Sequence, residues 1–249
     1  MPVVMMNVFD IQMEFDRSVF HELISRCISE GRKGYVCFVD ATMLSLSRKN
    51  GRYLEVLRQS MVNSCDGGSI AAMVNRIYHT NVRAYNGPDF FENMIGENQY
   101  KQLLVGSTAD TFQKIKDGLK NRQLPVDHVT HLPVPFLRVE EFNYPAIAAE
   151  INAVNPDIIW VSLGAPKQEQ FMSLLLPYVN RGVLFGIGAA FNFYIGNNIQ
   201  PKFHIGALRF IWLDRIYREP RKQLGRVWKI LRTLPLLYSD ELRRKWSRR

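Results

Sequence analysis

The 249-residue sequence predicts an α/β fold in which a mostly parallel sheet is flanked by helices, followed by a basic, amphipathic helical appendage. Three observations carry this expectation. Short apolar runs such as "YVCFVD", "KQLLVG", "DIIWVSL" and "RGVLFGIG" read as strands buried on both faces. Helical patterns lie between them, the alternation that parallel crossovers require. Charge is segregated as well: residues 1–201 hold 18 Lys and Arg against 19 Asp and Glu, whereas residues 202–249 hold 14 against 4. The expected division is a core over 1–201 and an appendage over 202–249.

Taken in order, "DRSVFHELISRCISEG" sets Val19, Phe20, Leu23, Ile24, Cys27 and Ile28 on one helical face, with Asp16 as N-cap and Gly31 as the stop. "YVCFVD" is a buried strand ending at Asp40. "QSMVNSCDGGSIAAMVNRIY" is a short strand, a turn at Asp66-Gly67-Gly68 and a helix from Ser69. "KQLLVGSTADTFQKIKDGL" is a strand, a Gly-Ser turn and a helix, with Ser107 and Asp110 at capping-box spacing. "HVTHLPV" reads as a strand, "PAIAAEINAVN" as a helix, "DIIWVSL" as a strand, "QEQFMSLLLPYV" as a helix and "RGVLFGIG" as the last strand. The order is Rossmann-like.

Composition narrows the class. With 47% hydrophobic and 22% charged residues the chain is long enough for a sizeable core, and disorder is not expected. Cys27, Cys37 and Cys65 lack C-x-x-C spacing, which argues against a disulfide framework or a Cys-built zinc site and for a reducing compartment. "MPVVMMNVFDIQMEF" has no basic n-region or small-residue cleavage site, and no run of 18 apolar residues occurs. The expectation is a cytoplasmic chain that does not span a membrane.

Ligands of parallel α/β sheets collect where strands end and helices begin. Three such turns carry polar groups or glycine: Asp66-Gly67-Gly68, Gly106-Ser107-Thr108 and Gly164-Ala165-Pro166-Lys167-Gln168-Glu169. Pro166 suits a first helical turn, so the N–H groups of Lys167 and Gln168 are expected to face the cleft as a seat for an anion or sugar hydroxyl. The plainer reading is a tight turn with a solvated helical start. Asp66 likewise reads as a turn carboxylate or as a catalytic base whose glycines let a substrate approach. "GIGAAF" lacks the third glycine of a dinucleotide fingerprint and no P-loop pattern occurs, which disfavours a dehydrogenase or a P-loop enzyme.

In order and spacing, "NSCDGGSIA", "VRAYNGPDFF", "KQLLVGST", "NPDIIWVSLGAPKQEQF", "LFGIGAAFNFYIG" and "WLDRIYREPRKQ" resemble the WecG/TagA/CpsF glycosyltransferases, which extend cell-surface polysaccharide on a lipid carrier. The resemblance covers roughly residues 35 to 230, and its most specific pieces are "LGAPKQE" and the run from Trp212 to Pro220. It implies an inverting transfer of a hexose, of N-acetylmannosamine, glucose or related type, from a UDP-sugar to an undecaprenyl-diphosphate-linked sugar, with no cofactor. Asp66 matches the family's proposed base, and Arg83, Gln168 and Arg215 fall on positions proposed to contact substrate or diphosphate. The candidate substrate-binding residues are Asp40, Asn63, Arg83, Gly106, Gly164, Lys167, Gln168, Glu169 and Asn192. Arg215, Arg218, Arg221 and Lys222 are the candidates for the diphosphate. The chemistry agrees: a carboxylate takes the acceptor proton, while arginines and helix N-termini stabilise the leaving diphosphate. No D-x-D occurs, so a metal-free mechanism is expected. Four positions depart from the family's usual residues: Phe38 for Thr, Asp40 for Asn, Asn192 for Asp and Ile211 for Glu. Asp40 also competes with Asp66 for the role of base.

From Leu208 to Trp246, Phe210, Trp212, Ile216, Leu224, Trp228, Leu231 and Trp246 interleave with Arg and Lys. This suits an interfacial helix on anionic lipid, with Leu234 to Arg249 at the bilayer and Arg215 at the diphosphate. The alternative is a helix docked on the core by its apolar face. The expected location is therefore cytoplasmic and peripheral, at the inner face of the bacterial cytoplasmic membrane. The five histidines show no metal-ligand spacing. A nucleic-acid-binding protein would explain the basic tail but lacks a recognised motif and a basic body, so no nucleic-acid partner is expected. An inactive scaffold of a polysaccharide assembly would keep the same motifs. Donor, acceptor, linkage and oligomeric state, a homo-oligomer included, stay open.

Overall fold

The computed structural model describes residues 5–196, 204–205, 208–209 and 220–247, the last segment with its side chains from residue 232 onward. The chain opens with a hairpin, β1 (Met6–Val8) and β2 (Ile11–Glu14), paired antiparallel through a two-residue loop. Phe9 and Asp10 both adopt left-handed φ, +54° and +63°, as a primed hairpin turn demands, although neither is the glycine or asparagine that usually signals one. Next come α1 (Arg17–Ser29), β3 (Lys33–Val39), α2 (Ala41–Ser47), α3 (Gly51–Arg58), β4 (Val62–Cys65) and α4 (Gly68–Tyr78). The second half holds α5 (Gly87–Met94), β5 (Gln102–Val105), α6 (Ala109–Asn121), β6 (Val129–Leu132), α7 (Tyr144–Val154), β7 (Ile158–Val161), α8 (Lys167–Leu175), β8 (Gly182–Gly186) and α9 (Ala190–Tyr194).

Eight strands form one sheet in the order β1-β2-β4-β3-β8-β7-β5-β6, parallel throughout except for the β1–β2 hairpin. The expected α/β fold is present. The first half of the chain builds one wing, the second half the other, and the wings meet where Lys33–Cys37 of β3 pair with Gly182–Gly186 of β8. Period-two alternation divides each central strand between two cores. Tyr35, Cys37, Val39, Ile159, Val161 and Leu184 pack on one face; Val36, Phe38, Ile158, Trp160, Val183 and Phe185 pack on the other. Burial on both faces explains why these strands read as unbroken apolar runs. Trp160 is fully buried, and its indole N–H donates to Gln102 Oε1 (2.8 Å), whose amide donates in turn to Met94 O (2.8 Å).

Local signals account for most helix ends. Asp16 caps α1 by accepting from the Ser18 and Val19 N–H groups. Gly31, at φ +64°, ends it in a Schellman arrangement, with Arg32 N–H on Cys27 O and Gly31 N–H on Ile28 O. The N-cap of α6 is Thr108, which accepts from Thr111 N–H, and not Ser107, whose left-handed φ of +75° takes it out of the capping conformation. Nor is β8 the last strand. His204–Ile205 (β9) and Leu208–Arg209 (β10) pair antiparallel as a separate ribbon.

The expected boundary at 201/202 lies outside the described residues. Beyond it, helix α10 (Pro220–Ser247) is docked on the core by its C-terminal half. Leu237 is buried in the main core, Ser45 Oγ and Thr233 Oγ1 meet at 3.0 Å, and Arg48 pairs with Asp240 at 2.6 Å. Glu241 is fully buried and accepts from Phe9 N–H (2.8 Å) and Tyr78 OH (2.6 Å), while Arg244 bridges it to Asp10. Of the segment Leu234 to Arg249, expected at a lipid surface, Leu237 and Glu241 are thus turned to the protein, whereas Leu236, Arg243 and Trp246 are exposed. The docked alternative therefore holds for the inward face of this segment. A docked helix must bury a face of its own.

Glu241→Ala removes the acceptor of a buried N–H and a partly buried hydroxyl and should destabilise the chain by on the order of 3 kcal/mol, the scale of a broken buried polar network. Urea unfolding measures it. A loss under about 1 kcal/mol, within the range of an ordinary surface substitution, would show that the helix is not held through this carboxylate.

Candidate functional site

A cleft of about 850 Å³ opens at the C-terminal edge of the sheet, where the two wings meet. Its size suits a small-molecule substrate, and its position is the one that α/β topology favours. Asp40 enters it from the end of β3, Asp66 from the end of β4, and Gly186 to Ala189 from the end of β8. The β7–α8 turn contributes Gly164, Ala165, Pro166 and Gln168. Helices α2 and α10 close one side with Thr42, Met43, Ser45, Leu46, Lys49, Arg232 and Thr233.

Two half-buried carboxylates line the cleft from adjacent strand ends. Val39 and Cys65 are register partners on parallel β3 and β4, and Asp66 N–H donates to Val39 O (3.0 Å), so Asp40 and Asp66 continue adjacent strands side by side. Their backbones are therefore separated by about the inter-strand spacing of 4.8 Å. Asp40 serves as N-cap of α2, accepting from Met43 N–H (2.9 Å). Asp66 Oδ1 accepts from Gly87 N–H (2.9 Å), which fixes the carboxylate from across the cleft wall.

Behind the wall runs a buried network. Gln168 Oε1 accepts from Gly164 N–H (3.1 Å) and Gly188 N–H (2.9 Å), which ties the turn after β7 to the turn after β8. Its amide donates to Glu169 Oε1 (2.8 Å), and Tyr53 OH donates to Glu169 Oε2 (3.1 Å). Ser162 Oγ donates to Gly188 O (2.6 Å). Gly186 has no side chain because Gln168 and Met172 occupy that place: a Cβ there would stand 2.7 Å from Met172 Cε and 3.1 Å from Gln168 Nε2. Glu169 is fully buried, and burial pushes its carboxyl up to about 7 despite these donors. Burial likewise raises the Tyr53 hydroxyl, with Glu169 adding to the effect, and raises the Cys37 thiol.

Of the residues singled out in the sequence, Asp40, Asp66, Gly164 and Gln168 line the cleft, and Glu169 stands directly behind it. Gln168 N–H does not face the cleft; it donates to Gly164 O (3.0 Å), because Pro166 is the N-cap of α8 and the turn closes on itself. The Lys167 ammonium stands over the Phe136 and Phe142 rings, at 4.8 and 5.1 Å. Asn63 is buried, donating to Gln12 O and Leu57 O, both at 2.9 Å, and Gly106 takes φ +82° where a Cβ would press on Ser162 O. Arg83 and Asn192 are exposed outside the cleft lining. Arg215 and Arg218 lie outside the described residues, as do the side chains of Arg221 and Lys222. The sequence reading missed the wall made by α2 and α10. The available signal was Asp40 standing as an N-cap before "ATMLSLS".

Comparison with known proteins supplies the context for this cleft. The family model described as Glycosyl transferase WecG/TagA/CpsF family matches residues 6–248. Among curated proteins, the N-acetylglucosaminyldiphosphoundecaprenol N-acetyl-beta-D-mannosaminyltransferase of Bacillus subtilis (strain 168) is 22% identical over 191 residues, covering 75% of this chain and 70% of the relative. The enzyme of the same name from Staphylococcus aureus (strain MW2) is 20% identical over 199 residues, covering 79% and 76% respectively.

The buried carboxyl makes stability depend on pH. Glu169 keeps its proton to about pH 7 in the folded chain, whereas an ordinary glutamate loses it near 4.5, so the folded state binds more protons in between. The sign follows: its contribution is fully present below pH 4.5 and is lost as pH rises through 7. Glu169→Gln does not titrate. The stability of the parent relative to Glu169→Gln should therefore fall by on the order of 3 kcal/mol from pH 4.5 to 8, measured by urea unfolding at several pH values. A difference independent of pH would rule the assignment out.

Proposed function

The chain belongs to the WecG/TagA/CpsF glycosyltransferase family, and from that premise we propose that it moves a hexosyl residue from a UDP-linked donor to a sugar carried on a polyprenyl diphosphate. The observation that carries this reading is Asp66, lining the strand-end cleft with its carboxylate oriented by Gly87 N–H. The acceptor hydroxyl oxygen attacks the anomeric carbon as Asp66 takes its proton. The bond from that carbon to the diphosphate oxygen breaks, and the leaving nucleoside diphosphate keeps the electron pair, giving inversion. Asp40 stands on the neighbouring strand, but its carboxylate starts α2, a structural task that favours Asp66 as the base. The absence of D-x-D from the sequence supports a mechanism without a bound metal. The names of the two relatives make an N-acetylmannosaminyl donor and an N-acetylglucosaminyl-diphosphate lipid the first pair to test.

A polyprenyl acceptor brings the enzyme to a bilayer, and we place it at the inner face of the bacterial cytoplasmic membrane. Among the described residues no helix is long and apolar enough to cross a membrane. The outward face of α10 presents Leu236 and Trp246, 45% and 76% exposed, next to the exposed Arg243. Apolar and basic groups on one helical face suit a peripheral contact with anionic lipid.

Two measurements test this. Asp66→Asn should retain donor binding and lose transfer by roughly 10²-fold or more in an assay of UDP release with a panel of UDP-sugars and a lipid-diphosphate acceptor. Normal turnover by that variant, with Asp40→Asn inactive, would move the role to Asp40. For the membrane contact, the double variant Leu236→Ala, Trp246→Ala should weaken partition onto anionic vesicles by about tenfold while leaving urea stability unchanged, because both side chains are already exposed. Unaltered partition would remove α10 from the membrane contact.

A further inference from the structure

We propose that Lys49 and Arg232 together seat a substrate diphosphate at the outer rim of the cleft. The inference rests on the transfer reading above, since both substrates of that reaction carry a diphosphate. It begins from how charge is arranged. Among the described residues lining the cleft, the charged ones are Asp40, Asp66, Lys49 and Arg232. The two acids are half-buried at the strand ends, and the two bases are exposed. Lys49 lies nine residues beyond Asp40 along α2 and its C-terminal turn, about 13 Å at the helical rise, enough for a hexose and a diphosphate laid end to end.

The bases are held there by packing on their own elements. Ser45 Oγ meets Thr233 Oγ1 at 3.0 Å, which joins α2 to α10 one turn before Lys49 and one residue after Arg232. Arg48, the residue before Lys49, lies outside the cleft lining and pairs with Asp240 at 2.6 Å, a second tie between the end of α2 and α10. Arginine offers a planar fork of donors and lysine a mobile point charge, a pairing suited to two linked phosphates of different exposure. The same cleft is lined by Met43, Leu46, Ile187 and Phe193, apolar surface against which a sugar face can lie. Substrate polarity then matches the cleft: phosphates outward on the bases, the reacting hydroxyl inward on the carboxylate.

The test compares the parent with Lys49→Gln, Arg232→Gln and the double variant, checking fold by circular dichroism and urea unfolding. Calorimetry measures binding of inorganic pyrophosphate and of UDP, and kinetics give separate KM values for the UDP-sugar and for a short-chain prenyl-diphosphate sugar. The double variant should lose at least tenfold in pyrophosphate affinity, Lys49→Arg should retain it, and Arg243→Gln, an exposed cation outside the cleft lining, should leave it unchanged. A matching loss for UDP assigns the seat to the donor; a raised acceptor KM with UDP binding intact assigns it to the acceptor. Parent-like pyrophosphate binding and both KM values unchanged in the double variant overturn the proposal. If the parent transfers no sugar, the transfer reading fails by itself, and the pyrophosphate comparison still decides whether the rim holds a diphosphate.

Discussion

The side-chain amide of Gln168 is the constraint on which the cleft depends. Its carbonyl oxygen takes one backbone N–H from the turn after β7 and one from the turn after β8, and its NH₂ reaches Glu169, so three elements share one side chain. The arrangement requires that Gly186 carry no side chain and that Gly164 and Gly188 adopt left-handed φ, +76° and +54°. Glu169 extends the chain of bonds to Tyr53 on α3. A buried polar network of this kind stabilises only when every member is satisfied, and it then fixes one geometry. Here that geometry is the wall facing Asp40 and Asp66.

The sheet supplies the other half of the site through register alone. Because β3 and β4 run parallel with Val39 opposite Cys65, the residues that follow arrive at the same edge with no loop to position them. Rigid strand ends place two carboxylates more reproducibly than flexible loops would. The start of α5 adds what strands cannot, namely the Gly87 N–H that orients Asp66.

Much of this was legible in the sequence, for identifiable reasons. Strands buried on both faces leave continuous apolar runs, so β3, β5, β7 and β8 were visible, and Asp40 and Asp66 stood out as polar residues where those runs or their neighbours end. The β1–β2 hairpin was not visible: its strands have three and four residues, and the Phe9-Asp10 turn is held by the distant Glu241 carboxylate, which accepts from Phe9 N–H, and not by local preference. Helices α2 and α3, seven and eight residues long, are too short for periodicity to separate them from loop. The positions of Lys49 and Arg232 on a shared rim depend on the packing of α2 against α10, residues about 190 apart in the chain, and no local pattern encodes it. Conversely, the motif "LGAPKQE" announced a functional turn, yet the role of Gln168 within it became plain only when Gly188 was seen on the same oxygen.

The basic tail shows why composition alone does not fix a role. A surplus of positive charge in residues 202–249 suggests a solvated arm, but in the second half of α10 the cations divide by direction. Arg244 is spent on Asp10 and Glu241, and Lys245 on the Ile77 carbonyl, contacts that hold the helix to the β1–β2 turn and α4. Arg243 faces outward with Leu236 and Trp246, whereas Arg232 lines the cleft. A free basic arm would follow any polyanion and could be screened away by salt, whereas a docked helix presents its outward charge at a fixed position relative to Asp66. Docking thus fixes where the outward charge stands, and the buried Glu241, with Leu237, Thr233 and Asp240, holds the helix there.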